Sequence, residues 1–165
     1  MDTNMKNILL LFLVILFSPQ LFSQDVVTPS DISGTWELME WHDGDDVLRP
    51  PAIGGLFALV NGNFSWVVFN LVDGLYQSGY GKYDFPGNNF RYGYDYGSSI
   101  INTGGTTAIN AEKWPYAVFE PSNGESELVL TSEDENEAQE FVLRKDSLVY
   151  KVNGIILRTY RRASF

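Results

Sequence analysis

Cysteine is missing from this sequence of 165 residues. An exported chain without cysteine has no disulfide framework, and it cannot carry the lipid that is attached to a cysteine at a lipoprotein cleavage site. The chain also lacks a cysteine nucleophile, and none of its serines lies in a strand-to-helix elbow beside a histidine that could activate it. No catalytic residue is therefore predicted.

Histidine is scarce, since His42 is the only one in the chain. It stands next to a short acidic stretch that contains Asp43, Asp45 and Asp46. A metal site needs several converging ligands, and one histidine with three loop carboxylates would hold a divalent ion only weakly. The stretch is interpreted as a solvated acidic loop, and neither a metal site nor a cofactor is predicted.

Basic residues are also few. The chain has 11 lysines and arginines against 21 aspartates and glutamates, which gives a net charge of −10. Proteins that bind nucleic acid draw their affinity from clusters of lysine and arginine, and the one basic cluster here consists of Arg158, Arg161 and Arg162. Nucleic acid and anionic lipid surfaces are therefore not expected as partners, whereas this acidity favours solubility.

Long hydrophobic runs are limited to one, over residues 8–17, which Lys6 precedes. A membrane-spanning helix needs about 20 apolar residues, so this run is too short to span a bilayer. The pattern predicts a signal peptide over residues 1–23 and one domain over residues 24–165, with export to the periplasm or the medium. An uncleaved N-terminal anchor is the alternative.

The remaining chain is rich in aromatic and β-branched residues, and it is divided by turn signals at short intervals. Asn61-Gly62 and Asn153-Gly154 each supply the two positive-φ positions of a type I′ turn, and residues 86–89 form a third turn. No long helical pattern is present. The segments between the turns are therefore predicted to be short antiparallel strands.

The hairpin around residues 86–89 has one aromatic face and one charged face. Asp84 lies opposite Arg91 on the charged face, as expected for a solvated cross-strand ion pair. Register then pairs the residues of the other face as follows: Phe85 with Phe90, Tyr83 with Tyr92, Gly81 with Tyr94, and Gly79 with Tyr96.

The other hairpins also have one face suited to burial, which is typical of an antiparallel meander. A meander that closes into a barrel buries this face and leaves no unpaired edge strand. The fold predicted is all-β, an up-and-down antiparallel barrel of eight to ten strands. In the Asn153-Gly154 hairpin, simple alternation places Leu157 and Arg161 on the inner face. Residues 43–54 are expected to form a flap without a strand, and residues 98–115 a long connection.

The segment ISGTWEL, with Gly34 and Trp36, resembles the Gly-x-Trp signature on the first strand of lipocalins. Together with the Asn61-Gly62 hairpin and the sequences YGKY at 80–83 and TYRR at 159–162, the chain resembles the bacterial lipocalin-like domain family. The resemblance implies a barrel with a small-ligand pocket and a tryptophan that plugs its closed end. It also implies an arginine stacked on that tryptophan, a role assigned to Arg161, with Arg162 as the alternative.

A barrel of this size either fills with side chains or holds one small ligand. The inward glycines, Gly79 and Gly81, either leave a void or are covered by aromatic rings. If the barrel is hollow, an apolar ligand is expected to contact Phe57, Phe64, Trp66, Tyr83, Tyr92, Tyr94 and Tyr96.

The expected function is binding of a small hydrophobic ligand inside the barrel, without catalysis. Two alternatives remain open: an inhibitor or interaction module that acts through its loops, and a small barrel isomerase or cyclase. The enzyme would need a perturbed carboxylate in the cavity. Glu40, which simple alternation from Trp36 places inside the barrel, is the candidate.

Overall fold

A computed structural model describes residues 27–103, 106–124, 127–133 and 137–164 of the chain. The predicted signal peptide lies outside the described residues and stays a prediction. A short 3₁₀ helix, Pro29–Ile32, precedes the first strand. None of the helices in the described part of the chain is long and apolar enough to span a membrane.

Eleven β-strands make up the rest of the described structure. They are β1 (Gly34–Asp43), β2 (Asp46–Leu48), β3 (Ile53–Val60), β4 (Asn63–Asn70), β5 (Leu75–Asp84), β6 (Phe90–Thr103), β7 (Thr106–Asn123), β8 (Leu128–Glu133), β9 (Ala138–Leu143), β10 (Ser147–Val152) and β11 (Ile155–Arg162).

The sheet closes on itself. From β3 to β11 each strand pairs antiparallel with its neighbour in the chain, and β1 pairs with both β3 and β11. The strand β2 is only three residues long and folds back on the end of β1. The result confirms the predicted fold class, an all-β, closed, up-and-down antiparallel barrel, and fixes the number of barrel strands at ten.

The two predicted type I′ turns are confirmed. The φ angles are +52° at Asn61 and +74° at Gly62, and +51° at Asn153 and +77° at Gly154. Two successive positive φ angles give the turn a twist that matches the strands it joins, and asparagine and glycine tolerate that conformation. These turns fix the β3–β4 and β10–β11 hairpins.

Trp36 plugs one end of the barrel, where its side chain is fully buried. Its Nε1 donates a hydrogen bond of 2.8 Å to the carbonyl oxygen of Ile32 in the 3₁₀ helix. The guanidinium of Arg162 lies 4.2 Å from the Trp36 ring centroid and donates to the carbonyl oxygens of Ser33 and Asp31, at 3.0 and 2.5 Å. This end of the barrel is closed by a stacked cation that also holds the preceding segment in place.

The prediction that Arg161 stacks on Trp36 was wrong. The β10–β11 register shifts by one residue within the hairpin, which leaves Leu157 without a partner in the ladder. Such a bulge turns over every side chain that follows it. Arg162 therefore points inward, and Arg161 lies outside, where it donates to Glu37 at 2.7 Å.

A second bulge corrects the position of Tyr96. The β5–β6 register shifts after Tyr94, so that Asp95 has no partner in the β5–β6 ladder and Tyr96 pairs with Tyr80. The rings of Tyr80 and Tyr96 stack on the outer face, with centroids 5.9 Å apart. The expected pairing of Tyr96 with Gly79, and its place in the barrel interior, were wrong. Nearer the turn the register is confirmed for Gly81 with Tyr94, Tyr83 with Tyr92, and Asp84 with Arg91.

A third bulge lies in β1. The β1–β11 register shifts between Leu38 and Glu40, which leaves Met39 unpaired and places Glu40 opposite Thr159. Glu40 lies on the outer face and accepts two hydrogen bonds from the Arg49 guanidinium, at 2.6 and 3.1 Å. The expectation that Glu40 points into the barrel was wrong because a bulge turns over the side chains that follow it, as it does at Arg161.

Both predicted connections contain strands. Residues 98–103 and 106–115 belong to β6 and β7, which pair as far as Thr103 and Thr106. Residues 43–54 include β2, whose Asp46–Leu48 segment pairs with the end of β1. The pair β6 and β7 is thus the longest hairpin among the strands described.

Candidate functional site

The half of the barrel next to Trp36 is filled by aromatic side chains. Ring centroids are 5.2 Å apart for Phe57 and Phe64 and 5.3 Å apart for Phe119 and Phe141. Both pairs are tilted, an arrangement that aromatic quadrupoles favour over a face-to-face sandwich. A void of about 20 Å³ lies at the boundary of this half.

The other half contains a cavity of about 300 Å³. Its volume lies at the lower end of the range for small-molecule sites, about 300–1,000 Å³. The mainly apolar part of its wall includes Trp66, Tyr92, Tyr94, Ala117, Tyr150 and Leu157. The polar part includes Gln77, Ser98, Ser99, Glu137, Gln139 and Arg158.

The seven predicted ligand contacts are spread over four environments. Three line both the cavity and the small void, one lines the small void alone, two are packed in the core, and one lies on the outer face. In that order they are Trp66, Tyr92 and Tyr94; Phe57; Phe64 and Tyr83; and Tyr96.

Gly79 makes room for the Trp66 ring at the cavity wall. A Cβ atom at position 79 would overlap Nε1 of Trp66, which lies across the glycine. Sequence reasoning expected tyrosine rings to cover Gly79 or a void to lie above it. The structure shows a tryptophan there, because the β4–β5 pairing sets Trp66 directly opposite Gly79.

The tyrosines of the cavity wall are neutral phenols. Burial raises the pKa of Tyr92, Tyr94 and Tyr150, and it also raises the pKa of Tyr160 below them. Each hydroxyl therefore keeps its proton at neutral pH and can donate as well as accept a hydrogen bond. The wall offers weakly polar contacts beside its rings.

Arg158 is the polar residue that sequence reasoning missed. The bulge at Leu157 turns it inward, where its guanidinium lies 4.4 Å from the Trp41 ring centroid and 5.9 Å from that of Trp66. It donates a hydrogen bond of 2.9 Å to Oε1 of Gln77. The alternation rule placed this side chain on the outer surface, and no residue type in the sequence marks the bulge.

Glu40, near the end of β1, has two basic neighbours, Arg49 and His42. Nε2 of His42 lies 3.4 Å from the Glu40 carboxylate. The hydrogen bond from Arg49 lowers the pKa of Glu40, and the interaction with His42 lowers it further. Across the residues with described side chains, no group of three or more histidines and carboxylates is placed to hold a metal ion.

Comparisons with known proteins gave no match: no protein-family model, no curated protein and no solved structure matches this chain. The site is therefore interpreted from its own geometry.

Proposed function

We propose that this protein binds a small, mainly apolar molecule in the cavity of its barrel. The observation that carries the proposal is the division of the interior into a filled half and an open half of about 300 Å³. Burial of apolar ligand surface against Trp66, Tyr92 and Leu157 would contribute about 25 cal/mol per Å². The fold is consistent with a ligand-binding barrel of lipocalin type, and the plug formed by Trp36 and Arg162 supports that relationship.

Binding without catalysis fits the groups around the cavity. The tyrosines are protonated, so they do not act as bases at neutral pH. Glu137, the carboxylate among the described lining residues, is exposed to solvent. Glu40, the carboxylate considered for an isomerase, lies outside the barrel with Arg49.

Export is part of the same proposal and is tested separately. Lys6 and the apolar run that follows it support a cleaved leader. Sequencing the amino terminus of the protein recovered from the cell envelope and from the medium should show a chain that begins after Ser23. A chain that keeps its first residues would contradict a cleaved leader and favour the anchor.

The ligand site is tested with a neutral fluorescent dye, Nile red. Replacing Ala117 with phenylalanine adds a ring inside the cavity, because this half-buried residue lines it. Val118→Phe is the matched control, since Val118 follows on the same strand and its side chain is exposed on the outer face. We expect the wild type and Val118→Phe to bind the dye with similar affinity. Ala117→Phe should bind it at least about tenfold more weakly, which corresponds to a loss of roughly 1.4 kcal/mol in binding free energy.

Mass spectrometry under native conditions complements the dye. Protein purified gently from its own cells should carry a small organic molecule that organic solvent extracts. If the protein is empty and no variant differs in dye uptake, the proposal of a ligand-binding barrel is wrong.

A further inference from the structure

Arg158 differs from the other arginines of the described chain. Four of those arginines form ion pairs with carboxylates, and Arg162 donates to backbone carbonyl oxygens at the plug. Among the described residues, no carboxylate lies within ion-pair distance of Arg158. The chain has ten more acidic than basic side chains, yet none of the carboxylates that the structure describes pairs with this cation inside the barrel.

The position of the Arg158 guanidinium is fixed by its neighbours. Gln77 accepts one of its hydrogen bonds at 2.9 Å, and Nε2 of Gln77 donates in turn to Oγ of Ser99 at 3.4 Å. The Trp41 ring stacks at 4.4 Å on the guanidinium. Because the amide is oriented by Ser99 and the plane is held by Trp41, the group is positioned before any ligand arrives.

Donors remain on this guanidinium. An arginine side chain carries five N–H donors; Gln77 accepts from one of them and the Tyr160 hydroxyl accepts from another. A partly desolvated cation with free donors matches a planar, two-oxygen anion better than any neutral group. The cavity therefore combines an apolar wall with one oriented positive charge.

We propose that the ligand is a carboxylate amphiphile, whose single carboxylate binds Arg158 while its apolar body lies against Trp66, Tyr92 and Leu157. This inference rests on the proposed function and names the ligand class of the same site. The volume of about 300 Å³ suits a chain of medium length or a compact ring system. Glu137 lines the same cavity and opposes an anion, so discrimination comes from Arg158 and not from the charge of the protein as a whole.

The test compares two molecules that differ only in the head group, decanoate and 1-decanol, by calorimetric titration at neutral pH. Wild-type protein should bind decanoate about tenfold more tightly, as expected for a charge-assisted hydrogen bond to a partly buried arginine. Arg158→Gln should bring the two affinities together while Nile red still binds. Arg161→Gln, on the outer face of the same strand, should keep the preference for decanoate.

Two further variants keep the result decisive. Arg158→Lys preserves the charge but not the planar fork, and it should retain only part of the preference. Glu137→Gln removes the opposing carboxylate and should strengthen decanoate binding.

Each outcome separates the inference from the proposed function. Equal affinity of the wild type for decanoate and decanol, with Nile red still bound, would overturn the role of Arg158 and leave the apolar site standing. A preference that survives in Arg158→Gln would also overturn it. If none of the three compounds binds, both proposals fail.

Discussion

Arg162 fastens the segment before β1 to the end of β11 with a single side chain. It stacks on Trp36 and donates to the carbonyl oxygens of Ser33 and Asp31. We expect Arg162→Ala to lower the free energy of unfolding by at least about 2 kcal/mol, because a cation–π contact and charged hydrogen bonds are lost together. Urea denaturation measures the change.

Arg161→Ala is the matched control. Its ion pair with Glu37 is well exposed on the outer face, so the loss should stay under about 1 kcal/mol. A larger effect at position 161 than at position 162 would contradict the assignment of the plug.

Glu40 should make the stability of the fold depend on pH in the acid range. The hydrogen bond from Arg49 lowers the pKa of Glu40 in the folded protein, so the pair stabilises the fold above the ordinary glutamate pKa, about 4.3. This contribution disappears as the pH falls through the lower folded value. We expect wild type and Glu40→Gln to differ most in Tm near neutral pH and to converge as the pH falls below the pKa of Glu40 in the folded protein.

A series of thermal melts across this range checks the convergence. In a protein that already carries Arg49→Gln, the further change Glu40→Gln should have little pH-dependent effect on Tm, because the hydrogen-bond donor to the carboxylate is gone. If the difference in Tm between wild type and Glu40→Gln were the same at every pH, it would not be caused by ionisation of Glu40.

The bulge at Leu157 decides which arginine enters the cavity and which reaches the plug. Deleting Leu157 removes the extra residue, so Arg158 still lies opposite Tyr150, and Tyr160 and Arg162 keep their inward positions. We expect the variant to fold with its plug intact, as measured by a near-ultraviolet circular dichroism spectrum like that of the wild type.

Leu157→Ala keeps the extra residue and therefore the register. The side chain is only partly buried, so this variant should stay folded at a cost below about 2 kcal/mol. Loss of the near-ultraviolet signal in the deletion variant alone would show that Leu157 is not the extra residue of the ladder.

At the level of elements, the turns could be predicted from the sequence and the bulges could not. The turns at Asn61-Gly62 and Asn153-Gly154 could be predicted because few residue types other than asparagine and glycine adopt positive φ angles. An unpaired Met39 or Leu157 needs no special residue type, so simple alternation assigns the side chains beyond each bulge to the wrong face. The candidate site differs from its prediction for the same reason: Tyr96 lies outside the barrel, and Arg158 lies inside it.

The molecule as a whole should unfold in one step. A single core cluster extends from Trp36 to Phe141 and Tyr160, and every barrel strand is paired on both sides. We expect denaturation curves from far-ultraviolet dichroism, near-ultraviolet dichroism and tryptophan fluorescence to coincide. Loss of the near-ultraviolet signal at lower denaturant than the far-ultraviolet signal would contradict one cooperative unit.

The pairing of β1 with β11 also has a consequence in time. The contact between Glu37 and Arg161 joins positions 124 residues apart in the chain. Closing such a long loop must precede the gain from pairing, and folds rich in distant contacts reach the native state slowly, over about milliseconds to seconds. Until β11 is synthesised and pairs, β1 has an unpaired edge and Trp36 lacks its stacked cation. The chain is therefore prone to aggregation until its last strand is in place.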